Sequence, residues 1–307
     1  MSDTVFAVDP DAAGAIGARR DLVRESARRS LVRRRLVGRG AIVLCVAAVA
    51  VSLAPLVALV AYTTSRGIHA LSWSFLTHAP TPPGIPGGGI SNAIVGTVII
   101  IGVAIAMAVP VGMTAALFLV ERRGPVANAL RFAADVLTGV PSIAVGIFAF
   151  SVLVAPFDHY SGLVGSFALA ALMLPIVIRA NEAAMRSVPR DLWEAGLALG
   201  VRRARVVRSV VLRGALPGLV TGNLLAVSRA VGETAPLLFT IFGSQFFVTN
   251  PTQPMNALPF TIFIDGTSAQ SSAQLIAWGA ALVLLVLVLV LSVVARIVSA
   301  RLNRQAR

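Results

Sequence analysis

Arg229 and Glu233 stand four residues apart in a stretch, Ala215 to Phe242, that carries no other charge. Four residues is about one helical turn, so the two side chains share a helix face. An ionisable residue inside an apolar run of membrane length is costly and marks an interior cavity or pathway by default. Counted from Pro217, Arg229 lies about 18 Å along a helix, near the middle of a bilayer. A guanidinium there can present a planar, bidentate fork to a tetrahedral oxyanion. Thr234 follows directly and completes the candidate pathway residues. The competing reading is that Arg229 and Glu233 only neutralise one another as a structural ion pair.

Other chemistry fails on inventory. All 26 cationic residues are arginine, so the chain has no lysine for a phosphate-cradling Walker loop or a Schiff base. His69, His78 and His159 fall between the apolar runs, none in a metal-binding spacing or beside a carboxylate that could orient it. The single cysteine, Cys45, excludes an internal disulfide and reads as a buried, inert thiol. We therefore expect no catalytic residue, metal ligand or cofactor. Asp135 is four residues after Arg131 and reads as its surface partner.

A second constellation lies between Arg179 and Arg213. Pro189 suits the first turn of a helix, and Leu192, Ala195 and Leu199 recur on one face of it. Gly200 stands where a left-handed cap would end that helix. From Val201 a basic helix runs on into the next apolar run. A short amphipathic helix between two membrane spans can act as a lever, or can lie on the lipid interface.

The elements that must position these groups are membrane helices. Only 13% of the residues are charged, against about 25% in soluble proteins, which excludes a soluble globular enzyme. Six apolar runs are evident: Gly40–Ser65, Ile94–Val120, Val136–Ala155, Gly162–Ile178, Ala215–Phe242 and Leu275–Ala295. Pro110, Pro141 and Pro175 read as kinks, which such helices tolerate. Twenty-four of the 26 arginines cluster up to and including Arg39, at 122–131, at 179–213 and from Arg296 onward. Retention of arginine on the cytoplasmic side puts both termini there and the loops at 64–92, 156–161 and 243–273 outside. The fold class expected is an all-α, multi-pass membrane protein of six spans. Its parts are an Arg-rich segment 1–39 (a mobile start, then a short interfacial helix), a first span 40–65, an external loop 66–91, a membrane domain 92–298 and a tail 299–307. Within the external loop, His78–Gly89 is too rich in proline and glycine for helix. Basic segments beside membrane helices point to anionic lipid headgroups rather than nucleic acid.

Several segments carry a resemblance. Glu194-Ala195-Gly196, then Gly200, then Leu216-Pro217-Gly218 resembles the EAA loop of ABC importer permeases, with Gly196 in place of the second alanine and Arg213 where many members have proline. Glu182-Ala183-Ala184 lacks the following glycine and is set aside as a decoy. Leu137-Thr138-Gly139-Val140-Pro141-Ser142-Ile143 with Gly146, Gly87-Gly88-Gly89-Ile90 with Gly96-Thr97, and Arg229-Ala230-Val231-Gly232-Glu233-Thr234-Ala235-Pro236 are similar to the permeases of phosphate-specific importers, PstA type. The match is collinear over about residues 85–300.

The resemblance implies a type I ABC importer core of the MetI-like kind. It implies that Asp191, Glu194, Ala195, Gly196, Leu199 and Gly200 form a coupling helix, within 187–200, seated in a separate ATPase. It further implies a PstC-type permease partner, two PstB-type ATPase copies, a PstS-type phosphate-binding protein outside, and phosphate as cargo in the plasma (inner) membrane. Sulfate or molybdate permeases, a gradient-driven secondary transporter, and a sensory membrane protein without a pathway are the alternatives.

Overall fold

The computed structural model describes the backbone of residues 10–81 and 88–305 and the side chains of 38–81 and 88–301. The start of the N-terminal segment and Pro82–Gly87 of the external loop lie outside the described residues. Among the described residues all regular structure is helical, apart from one isolated bridge between Phe242 and Met255. The chain divides into two units, Met1–Tyr62 and Thr63–Arg307.

In the first unit a single helix is already running. This α1 (Pro10–Gly67) is 58 residues long, where a short interfacial helix and a separate span were expected. Its apolar side chains from Ile42 to Tyr62 are exposed, and so is Cys45, which corrects the buried thiol. A rod that is apolar on all sides suits lipid, not water.

In the second unit α2 (Trp73–Thr77) precedes α3 (Ser91–Glu121), which packs along α6 (Gly162–Arg186). On α6 also lies α9 (Leu212–Val231), which follows α8 (Arg203–Val206) and a π turn over Val207–Val211 without a break. The last helix, α12 (Ser271–Gln305), packs on α9 and on α11 (Leu258–Gly266). Without apolar solvation to drive them together, membrane helices associate through small residues that let backbones approach. Gly218 and Gly222 do this here: a Cβ on them would stand 2.8 and 2.5 Å from the Cβ atoms of Ala184 and Ala180. Around that crossing a core forms from Ile100, Ala104, Met173, Val177, Ala226 and Ala230.

Among the described residues five helices are long and apolar enough to cross a membrane, or six if one bent pair counts as a single span. That pair corrects the third run. It is not one rod but α4 (Pro125–Thr138) and a second helix, Ser142–Val154, meeting at 102°. The second helix is α5 (Ser142–Ala149) continued by a π turn. The fourth run is longer than expected, because α6 continues past Ile178 to Arg186. The fifth is shifted, because its helix already runs from Arg203 and stops at Val231, and α10 (Ala235–Thr240) starts anew. The 243–273 loop also contains α11, whose Leu258, Pro259 and Thr261 are buried.

Candidate functional site

Both helix breaks face one cavity. The first follows from Pro141, which has no N–H to give and holds its own φ at −59° with ψ at 135°. Helix α4 therefore ends at Thr138, and the chain turns through Gly139 and Val140 before Ser142 starts α5. The second break comes at Gly232, where the last amides of α9 fold back: Gly232 N–H donates to Arg229 O and Glu233 N–H to Ala230 O. Thr138, Gly139, Pro141 and Ser142 from the elbow, Met173 and Ile176 from α6, and Arg229 and Glu233 line a space of about 240 Å³.

The two breaks are also locked together. A Cβ on Gly146 would lie 2.8 Å from Cα of Pro236 and 3.3 Å from the Ala235 carbonyl oxygen. Only glycine lets α5 approach α10 so closely. The segments Leu137–Gly146 and Arg229–Pro236, far apart in sequence, thus form the two sides of one structure. Thr234 lies at the break but not on the cavity lining, and its carbonyl anchors the start of α10 by accepting from Leu237 and Leu238.

Arg229 sits in the last turn of α9, where a cation complements the helix dipole. Its Nε is 3.7 Å from Oε1 of Glu233, well beyond the roughly 2.8 Å of a charge-assisted hydrogen bond. The Arg229 side chain is 61% exposed and that of Glu233 23%. The two share a face, as expected, but the carboxylate does not use up the guanidinium.

The second constellation leaves one helix face uncovered. Helix α7 (Arg190–Ala198) begins just after Pro189, one residue later than expected. It ends in a Schellman cap: Gly200 N–H donates to Leu197 O at 2.9 Å and Val201 N–H to Gly196 O at 3.3 Å. Gly200 has φ +72°, the left-handed conformation expected of it. Gly196 turns inward; a Cβ there would meet Val206 Cγ2 at 3.0 Å, so glycine lets α7 fold closely over α8. Trp193 packs beside buried Val188 and Val211. The opposite face is bare: Asp191, Leu192, Glu194, Ala195 and Leu199 are exposed, Leu199 to 83%.

A third feature was missed. Glu182, in the triplet set aside as a decoy, is buried and receives three arginines. Its Oε1 accepts from Arg131 Nε at 2.8 Å and is 2.8 Å from Arg186 Nη2, while Oε2 accepts from Arg179 Nη1 at 3.1 Å. Asp135 pairs with Arg179, not with Arg131 as expected. An i,i+4 pair on one helix loses to a partner on the helix packed against it. The signal was present in the sequence, since Arg179 and Arg186 flank Glu182 at helical spacing.

The glycine-rich opening of α3 has a structural role. A Cβ on Gly96 would meet the Asn256 carbonyl oxygen at 2.0 Å, and Thr97 Oγ1 accepts from Leu258 N–H at 2.8 Å. This end of α3 therefore holds the chain entering α11.

A bundle of apolar helices with two helix breaks around Arg229, and a short exposed helix between two candidate spans, has the architecture of a membrane permease core. Residues 108–304 match the family described as binding-protein-dependent transport system inner membrane component, and the chain belongs to that family. It is 39% identical over 279 residues to the phosphate transport system permease protein PstA of Yersinia pestis, covering 90% of this chain and 95% of that protein. It is 36% identical over 264 residues to the phosphate transport system permease protein PstA 1 of Mycobacterium tuberculosis H37Rv, covering 84% of this chain and 85% of that one. Among solved structures, an inward-facing MetNI methionine ABC transporter matches with TM-score 0.54 at 20% identity, over 71% of this chain and 96% of that chain. The last likeness concerns the fold alone, and it is the MetI-like fold expected.

Proposed function

We propose that the chain is a PstA-type permease subunit that passes inorganic phosphate across the plasma membrane of an ATP-driven importer. The observation that carries the reading is the exposed Arg229 guanidinium in the cavity between the two signature segments. A phosphate oxygen entering that space can displace a carboxylate held at 3.7 Å more easily than one held at hydrogen-bond distance. Ser142 and Thr138 add neutral hydroxyls on the opposite wall. The chain holds no nucleotide loop, so its energy comes from a separate ATPase.

The partner reading follows from the bare face of α7. Asp191, Glu194, Ala195, Leu199 and the Gly200 cap would seat in a groove of a PstB-type ATPase, on the cytoplasmic side with both termini. A PstC-type permease would close the pathway beside Arg229, and a PstS-type binding protein would deliver phosphate from outside. ATP would draw the two coupling helices together and turn the cavity outward; hydrolysis would return it inward for release.

The test is uptake by vesicles holding the reconstituted complex, supplied with phosphate-loaded binding protein. ATP-dependent import that survives collapse of ion gradients supports the reading. Import that follows the gradient instead makes the chain part of a secondary transporter, and competition by sulfate or molybdate equal to phosphate changes the cargo.

A further inference from the structure

We propose that Glu182 is a positioning residue: its three-arginine clamp makes the α4–α5 elbow follow α7, so that movement at the exposed helix reaches the cavity. This rests on the transport reading above. Helix α6 leads through Ser187 and buried Val188 directly into α7. Helix α4 leads, seven residues beyond Arg131, into the Thr138 end of the elbow. The clamp lies where the two helices cross.

Its bonds reach three helices at once. Arg131, on α4, gives Nε to Glu182, Nη1 to Asn128 at 3.1 Å and Nη2 to the Leu119 carbonyl of α3 at 2.6 Å. Arg179 joins Glu182 to Asp135 of α4. Arg186 completes the set from the last turn of α6. The apolar contact among these helices sets Ala127, Leu130 and Ala134 of α4 against Leu119 of α3 and Leu174 and Ile178 of α6. Such contacts are non-directional and tolerate sliding, whereas a forked arginine fixes both distance and orientation. The Glu182 side chain is only 6% exposed and both its oxygens are engaged. With Arg131 already bonding through Nε, Nη1 and Nη2, the cluster holds helices together and is poorly placed to receive a second anion.

The experiment uses the reconstituted complex and reports phosphate imported and ATP hydrolysed, each per assembled complex. Glu182→Gln keeps the shape and removes the charge that gathers the arginines. Phosphate imported per ATP should fall about fivefold or more, the lower end for a coupling interaction, while hydrolysis stimulated by the loaded binding protein continues. Glu182→Asp, which restores the charge, should recover much of that ratio. A merely structural role would lower import and hydrolysis together, and that result, or an unchanged ratio, overturns the proposal. Where the Glu182→Gln complex cannot be recovered, Arg131→Lys carries the same two outcomes, since it keeps charge and loses the fork. The parent separates the two ideas: no ATP-driven import by the parent defeats the transport reading, whereas import with an unchanged ratio in the variant defeats the clamp alone.

Discussion

Among the described residues two arginine–carboxylate sites, at Glu182 and at Glu233, are opposites. At Glu182 three arginines converge on one buried carboxylate with contacts of 2.8, 2.8 and 3.1 Å. At Glu233 one arginine stands 3.7 Å away with most of its side chain exposed. Burial with full hydrogen bonding commits a charge to holding the structure, and truncating one partner then leaves the rest uncompensated. A loose, exposed pair is weakly worth keeping for stability. What it retains is availability: the Arg229 fork can turn to another anion at little cost. On the transport reading proposed above, the same two residue types serve as a fastening in one place and as a ligand-ready group in the other.

The sharpest way to break that contrast is Arg229→Ala. We expect phosphate uptake to fall by roughly a hundredfold or more, the scale of losing one donor aimed at an anion, with assembly and ATPase binding retained. Arg229→Lys should fail largely as well, because the planar fork is lost. Were the pair only structural, Arg229→Ala would disrupt the complex, and the double variant Arg229→Met, Glu233→Met would restore assembly and transport together; restored transport would refute the pathway role.

Glu182→Leu should show the reverse pattern. With the arginines partly exposed and so partly screened, we expect a loss near the lower end for a broken buried pair, about 3 kcal/mol. It should be read as a lower thermal midpoint and lower yield of assembled complex. Equal stability of Glu182→Leu and Arg229→Ala would erase the distinction between the two sites.

Gly200→Val comes next. At φ +72° a β-branched residue is strained by roughly 1–2 kcal/mol, which should misplace the end of α7 and weaken ATPase association about tenfold, measured by co-purification. Normal uptake by this variant would show that α7 is not the lever. Smallest of all, Glu233→Gln should change uptake only a few-fold, since the carboxylate sits beyond hydrogen-bond reach of Arg229.

The amino-acid sequence alone carried the all-helical membrane class, and it brought Arg229, Glu233 and the 189–200 segment forward as candidates. Long apolar runs exclude water-soluble folds whatever the tertiary arrangement, and a charge inside such a run is conspicuous because lipid offers it nothing. Gly200 was legible for a similar reason, as a left-handed cap is a local requirement that one residue type meets best. Distances between helices were beyond reach. Hydropathy cannot tell a straight span from one that turns 102° at Pro141, because both are equally apolar. Nor could spacing assign Asp135 to Arg179 or bring Arg131 and Arg186 to Glu182, since those bonds depend on which helices cross and in what register. Only the packed bundle put the Leu137–Gly146 and Arg229–Pro236 segments on two sides of one cavity, where contact between Gly146 and Pro236 holds the helix breaks face to face.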